Sequence, residues 1–238
     1  MTEEEYLKKY LEPEKLQEGL KLLKEGRPVQ YIIGNVNFCG NIIKVDASVL
    51  IPRFETELLV EKTISYIQKY FNNPKIIDLG TGSGAIAISL KKRLNCNVDA
   101  IDISDSALDI AKENAKENNV EINFFTNDML EGLNEKYDVI ISNPPYISYD
   151  ENIDDIVKNN EPAIALFAEN NGLEFYEKIL SKAQNNIKDK ALIAFEIGQN
   201  QAEDVTEIAK NYFPNSKISI EKDFPGKDRY IFIFVNLM

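Results

Sequence analysis

The sequence predicts an α/β fold on a mostly parallel sheet of seven strands. Three observations carry this reading. From residue 55 onward, short apolar β-rich runs alternate with segments of helical periodicity. A glycine-rich loop joins the first of those runs to its helix. The last two runs, KISIEKD and RYIFIFV, have no helix between them, so they are expected to pair as an antiparallel hairpin at one edge.

The elements follow in order. Residues 3 to 25 read as helix, with Leu7, Leu11, Leu16, Leu20 and Leu23 at helical spacings, a break near Pro13, and a stop at Gly26 and Pro28. VQYIIG, NVNFCG and NIIKVD are short β-rich runs, punctuated by Gly34, Gly40 and Asn41, and are expected to form a small hairpin. A helix is expected from Glu55 to Tyr70. Then come the strand KIIDLG, the helix AIAISLKKRL, the strand NVDAIDI and the helix DSALDIAKENAKENN, capped by Ser104 or Asp105. EINFFT and YDVIIS are strands. Residues 172–187 are expected as helix, KALIAFEIG as strand and 199–212 as helix. The helix stripe Leu173, Tyr176, Ile179 and Leu180 reads as core. The division expected is 1–28 as a reduced N-terminal helical segment, 29–52 as a β-hairpin linker and 53–238 as the main domain.

Composition narrows the chemistry. At 238 residues the chain buries a full core without staples. It contains no histidine, which removes imidazole catalysis and histidine-ligated metal. Cys39 and Cys96 make neither a disulfide framework nor a zinc site, so no metal and a reducing, cytoplasmic location are expected. No run approaches a membrane span, and the acidic, polar start MTEEEYLKKY is not expected to act as a signal peptide. With 27 basic and 39 acidic residues the net charge is -12. That gives no general affinity for phosphate backbones and favours a small cation or a basic protein partner.

Asp78-Leu79-Gly80-Thr81-Gly82-Ser83-Gly84 follows a strand and opens a helix. Its glycines let the turn tighten and a ligand approach the backbone. The spacing is G-x-G-x-G rather than the G-x-G-x-x-G of pyrophosphate sites. A carboxylate at Asp78 suits the ammonium and sulfonium of S-adenosylmethionine better than a pyrophosphate. Asp102 ends the next strand, where a carboxylate accepts from both ribose hydroxyls. Dinucleotide sites use the same device, so Asp102 alone does not discriminate. Asp128 and Met129 follow the third strand, placed to accept from an adenine amine and to pack on its ring.

Ser142-Asn143-Pro144-Pro145-Tyr146 follows the strand YDVII. Two prolines fix the backbone and remove two N–H donors. The carbonyls of Asn143 and Pro144, with the Asn143 side-chain oxygen, then form a set of acceptors. Such a set suits a planar NH2 group, and Tyr146 supplies a face for it to stack on.

DLGTGSG together with NPPY resembles the class I methyltransferases that act on amide or amine nitrogen. PVQYIIGNVNFCGNIIKVDASVLIPRFETE at 28–57 resembles the hairpin and signature of the peptide-chain-release-factor glutamine methyltransferases, the PrmC/HemK family. AIDISDSAL, SNPPYI, NEPAIALFAENNGLEFY, FEIGQNQ and KDFPGKDR resemble that family's blocks in the same order. The resemblance runs from about residue 27 to the end. It implies a Rossmann-like domain of seven strands behind a small helical domain. It also implies methyl transfer to the side-chain nitrogen of the glutamine in the Gly-Gly-Gln motif of class I release factors. S-adenosylmethionine, with S-adenosylhomocysteine as product, is then expected against Asp78, Gly80, Thr81, Gly82, Ser83, Gly84, Asp102, Ile103, Asp128, Met129 and Asn143. The glutamine is expected against Asn143, Pro144, Pro145, Tyr146, Arg53 and Glu55, with Asn143, Pro144 and Tyr146 catalytic. The expected partner is a release factor, with no nucleic acid and no membrane, and the chain acting as a monomer.

The chain departs from that family's pattern in places. Only about 26 residues precede the hairpin, Phe54 stands for a usual proline, Met129 for an aromatic residue of some members, and Phe224 for a leucine. Arg53, Glu55 and Thr56 either shape the pocket mouth or brace the NPPY turn, or they only start a helix. Glu161-Pro162 is a pocket wall or a turn. Glu196 either borders the site or pairs with Arg229. Competing readings are an adenine-N6 nucleic-acid methyltransferase, a noncatalytic binding module of the same fold, and a nicotinamide oxidoreductase.

Overall fold

The computed structural model describes residues 2–237. The N-terminal helical segment divides at Pro13, as its position predicts. Helix α1 spans Glu3–Tyr10, capped reciprocally by Thr2 and Glu5; a 3-10 turn at Pro13–Lys15 leads into α2, Leu16–Lys24. VQYIIG, expected among the β-rich runs, is instead the short helix α3, Val29–Ile33. Pro28 precedes its first residue and Gly34 ends it in the left-handed region at φ 85°. Those two stops decide the conformation where a run of five residues leaves the period ambiguous. The hairpin proper is β1, Asn35–Phe38, and β2, Asn41–Lys44, paired antiparallel.

Alternation then proceeds as α4 (Phe54–Tyr70), β3 (Lys75–Leu79), α5 (Ala85–Leu94), β4 (Asn97–Asp102), α6 (Asp105–Glu117), β5 (Asn123–Thr126) and β6 (Tyr137–Ser142). Of the two candidates, Ser104 caps α6, its hydroxyl accepting from the Ala107 amide. A crossing segment holds β7 (Ile147–Ser148), α7 (Asp155–Asn160), β8 (Phe167–Ala168) and the single turn α8 (Glu169–Gly172). The chain closes with α9 (Glu174–Asn186), β9 (Ile187–Glu196), α10 (Ala202–Tyr212), β10 (Lys217–Lys222) and β11 (Asp228–Val235).

Seven strands form one sheet in the order β10-β11-β9-β6-β3-β4-β5. β5, β4, β3, β6 and β9 are parallel, and β11 pairs antiparallel with both β9 and β10. The expected edge hairpin is present. The order turns back between β3 and β6, since the chain runs outward through β4 and β5 and then returns to the other side of β3. In a sheet of this kind, ligands bind outside the strand ends at that switch point.

Side chains alternate across the sheet into two cores. Ile76, Val139, Ile141, Leu192, Ala194, Tyr230 and Phe232 enter one core, which also takes Phe38, Ile43, Val45 and Ile51 from the hairpin region. Ile77, Leu79, Ile140, Ile193, Phe195, Ile231 and Ile233 enter the other, under α9 and α10. The hairpin is therefore packed into the main core. Asn114 of α6 ties it down, accepting from the Lys44 amide at 2.7 Å and donating to the carbonyls of Lys44 at 3.0 Å and Ser83 at 2.9 Å.

Phe232 is fully buried, with the Tyr66 ring 5.0 Å away between centroids. Phe232→Ala is expected to lower stability by about 3–5 kcal/mol, read from the midpoint of chemical denaturation.

Candidate active site

The loop after β3 and the loop after β6 begin side by side, because Leu79 and Ser142 are register partners. The Ser142 hydroxyl donates to the Leu79 carbonyl at 2.7 Å, so the two loop origins are cross-linked. A cavity of about 290 Å³ opens above them. Gly80, Gly82, Asp102, Ile103, Asp128, Met129, Asn143 and Pro145 all line it.

Not every residue picked from the glycine loop faces that cavity. Thr81, Ser83 and Gly84 are not in its lining; they build the loop. The Thr81 hydroxyl donates to Asp78 at 2.6 Å and its amide to the Ile101 carbonyl at 2.8 Å. Gly84 adopts φ 81°, and a β-carbon there would lie 3.1 Å from the Ala111 β-carbon, so it serves helix packing. Asp78 also lies below the cavity surface. It is fully buried, and its Oδ1 has no hydrogen-bond partner. Burial pushes its carboxyl up to about 7, against the Thr81 hydroxyl and Ala87 amide that favour the ionised form.

The acidic residues at the strand ends are held in place. Asp102 accepts from the Gly82 amide at 2.8 Å and the Ser104 amide at 3.0 Å, which fixes the loop around it. Its pKa is raised, chiefly by burial. Asp128 is ion-paired with Lys178 of α9 at 2.6 Å, a partner the sequence did not suggest. Met129 sits over Gly80 with a left-handed φ of 50°, a conformation that costs about 1–3 kcal/mol outside glycine and clusters at ligand sites.

A second, smaller cavity of about 90 Å³ lies on the other side of Asn143. Arg53, Pro144, Tyr146, Leu166 and Glu196 are among its walls. Asn143, Leu50 and Ala165 border both cavities. Arg53 pairs with Glu161 at 2.5 Å, and Glu161 also accepts from the Ile51 amide at 3.0 Å. That buried carboxylate ties Arg53 and the preceding segment to the residue before Pro162.

Glu55 does not reach either cavity; it contributes its carbonyl to the Tyr230 hydroxyl at 2.8 Å. The neighbouring Thr56, about 100° further round the helix, turns inward instead. Its hydroxyl donates to Glu196 at 2.7 Å and accepts from the Asn143 side-chain amide at 3.1 Å. Tyr146 donates its hydroxyl to the other Glu196 oxygen at 3.3 Å. Glu196 makes no ion pair with Arg229, which bonds Asp223 at 3.5 Å and the Ile197 carbonyl at 3.2 Å. Glu196 is buried, and burial pushes its carboxyl up to about 7. Sequence reasoning missed Gln201 as well. Its side chain donates to the Tyr146 carbonyl at 2.9 Å and accepts from the Gly198 amide at 2.9 Å. Its place in the block FEIGQNQ was the available signal.

Comparison with known proteins fits this arrangement. The family described as Methyltransferase small domain matches residues 54–163, which carry both loops. A release factor glutamine methyltransferase of Lactococcus lactis is 46% identical over 91% of this chain and 80% of its own length. The chain belongs to the release factor glutamine methyltransferase family. A member from Flavobacterium psychrophilum is 44% identical over 88% of this chain and 76% of that protein. The fold has its own parallel in a methyltransferase from Pyrococcus furiosus, with a TM-score of 0.62 and 18% identity over 84% of this chain and 90% of that one. Among the described residues, no helix is long and apolar enough to cross a membrane.

Asp78 and Glu196 both hold protons more tightly in the folded chain than their ordinary values of 3.8 and 4.5 allow. Their contribution to stability is full below about pH 4. It declines as pH rises through about 7, by at most about 1.4 kcal/mol per pH unit for each group. Asp78→Asn is therefore expected to match the parent near pH 4 and to melt at a higher temperature at pH 8, as thermal unfolding of the cofactor-free protein will show.

Proposed function

We propose that this chain transfers the methyl group of S-adenosylmethionine to the side-chain amide nitrogen, N5, of a glutamine. The glutamine is the one in the Gly-Gly-Gln motif of class I peptide chain release factors. The observation that carries the reading is the position of Asn143 on the wall common to the two cavities. A methyl donor on one side and an amide on the other then meet at a wall that contains the residue equipped to orient the amide.

The large cavity suits the cofactor. Gly80 and Gly82 admit a ligand against the backbone, Asp102 offers carboxylate oxygen for ribose hydroxyls, and Ile103, Met129 and Phe175 offer apolar surface for a purine. The unpartnered Oδ1 of Asp78 beneath the loop is an acceptor that a nearby ammonium would help to ionise. When bound, S-adenosylmethionine supplies an electrophilic methyl group on a positively charged sulfur.

The protein's work is to present the amide. An amide nitrogen is a weak nucleophile because its lone pair is delocalised, and the chain has no histidine to serve as base. The Asn143 Oδ1 and the Pro144 carbonyl accept the two amide hydrogens. This aims the nitrogen across the shared wall and disperses positive charge as it develops. The Tyr146 ring gives the planar group a face to lie on, and its hydroxyl is kept protonated by burial beside Glu196. Arg53 spends its charge on Glu161 and so shapes the mouth. The surplus proton leaves to water afterwards. A chain of net charge -12 favours a basic protein surface as partner and disfavours a nucleic-acid backbone.

Removing the Asn143 acceptor is expected to cost about 2–4 kcal/mol of transition-state stabilisation, or roughly 30- to 1,000-fold in turnover. Asn143→Ala with normal turnover and intact folding would refute the role. The function itself is tested by tritiated-methyl transfer to a purified class I release factor, its Gln→Ala motif variant and an adenine-rich duplex. Label is expected on the unaltered factor alone; label on the duplex would overturn the substrate in favour of a nucleic acid.

A further inference from the structure

Asn143 is useful as an acceptor only if its oxygen, and not its NH2, faces the substrate amide. The side chain is symmetric in shape, so packing alone does not choose. A chain of hydrogen bonds does. The Thr56 hydroxyl has one proton and gives it to Glu196 at 2.7 Å. Its oxygen is then left only to accept, and it accepts from the Asn143 NH2 at 3.1 Å. The Asn143 oxygen is thereby turned away from Thr56. The second Glu196 oxygen meanwhile receives the Tyr146 hydroxyl at 3.3 Å. Both carboxylate oxygens are thus acceptors facing residues of the NPPY turn, directly or through one hydroxyl.

We propose that Glu196 and Thr56 are positioning residues which set the polarity of the Asn143 amide, presenting its oxygen to the substrate while Glu196 is ionised. The proposal rests on the reading of Asn143 as the acceptor for a substrate NH2. A proton on Glu196 reverses the chain. The carboxylic acid donates to Thr56, Thr56 is freed to donate to Asn143, and the amide turns to offer NH2 against the substrate's own N–H groups. Two sets of donors then face each other.

The groups around Glu196 come from every neighbouring element. Glu55 and Thr56 belong to α4, Arg229 and Tyr230 to β11, Tyr146 to the loop after β6, and Tyr176 of α9 donates to the Glu196 backbone carbonyl at 2.9 Å. Burial and Glu55 favour the protonated form. Arg229 and the hydroxyls of Thr56 and Tyr146 favour the ionised one, and the balance falls at about 7. Ionisation therefore occurs where a modest change of pH alters the population.

Three measurements test this on the full chain. The methylation rate of wild type is expected to rise with pH through about 7, and Glu196→Gln to be slower and to lose that rise. Thr56→Val is expected to lower kcat by roughly 10- to 100-fold while cofactor affinity holds, and Thr56→Ser to recover most of the loss. In cofactor-free protein, the 15N side-chain amide signals of Asn143 are expected to shift with a midpoint near pH 7, and not to do so in Glu196→Gln or Thr56→Val. Thr56→Val at full rate, or Asn143 signals indifferent to pH in wild type, would overturn the proposal. A wild type that shows the amide titration but methylates no glutamine would sink the substrate reading and leave the relay standing. Should Glu196→Gln fail to fold, Thr56→Val and the wild-type titration decide the matter.

Discussion

The site depends on one parallel pairing. β3 and β6 lie side by side with Leu79 opposite Ser142, and the Ser142 hydroxyl bonds the Leu79 carbonyl across that pair. The apolar side chains along these strands alternate between two cores, so a slip of one residue would turn each of them to the wrong face. The glycine loop and the NPPY turn thus inherit their relative height from packing some distance below them. Two cavities that share Asn143 as a wall follow from that register.

Much of this was legible in the sequence, for identifiable reasons. Alternation of apolar strands with helices, and the missing helix before the last strand, gave the sheet and its antiparallel edge. The two loops announced themselves because glycine and proline have few other uses at strand ends. VQYIIG was misread because five residues span too little of either period, and its stops, Pro28 and Gly34, outweighed its β-branched content. Within the site, sequence spacing found the residues that line the cavities better than those that support them. Thr56 and Glu196 are 140 positions apart, and only the tertiary fold brings the hydroxyl to the carboxylate. Glu55 drew attention as the charged residue, yet the helix turns its small neighbour inward.

Two carboxyls at the site, Asp78 below the glycine loop and Glu196 in the wall of the smaller cavity, are fully or nearly fully buried, and burial raises both. A fold optimised for stability alone would replace them with neutral side chains. Their retention next to the two loops is the kind of cost that accompanies an electrostatically prepared pocket. The rest of the sheet makes that cost tolerable, since its strands are almost wholly apolar inside.

Gly172 shows how early the NPPY turn is made rigid. A β-carbon on it would stand 2.0 Å from the Tyr146 carbonyl oxygen and 2.6 Å from the Gln201 amide nitrogen, so the two backbones are in direct apposition. Gln201 closes the same contact by donating to that carbonyl and to the Asn171 carbonyl at 3.2 Å. The turn has therefore surrendered its conformational freedom during folding, before any ligand arrives. An incoming glutamine loop need give up only its own entropy on docking, which leaves more of the contact energy free to hold the amide at the angle the methyl group requires.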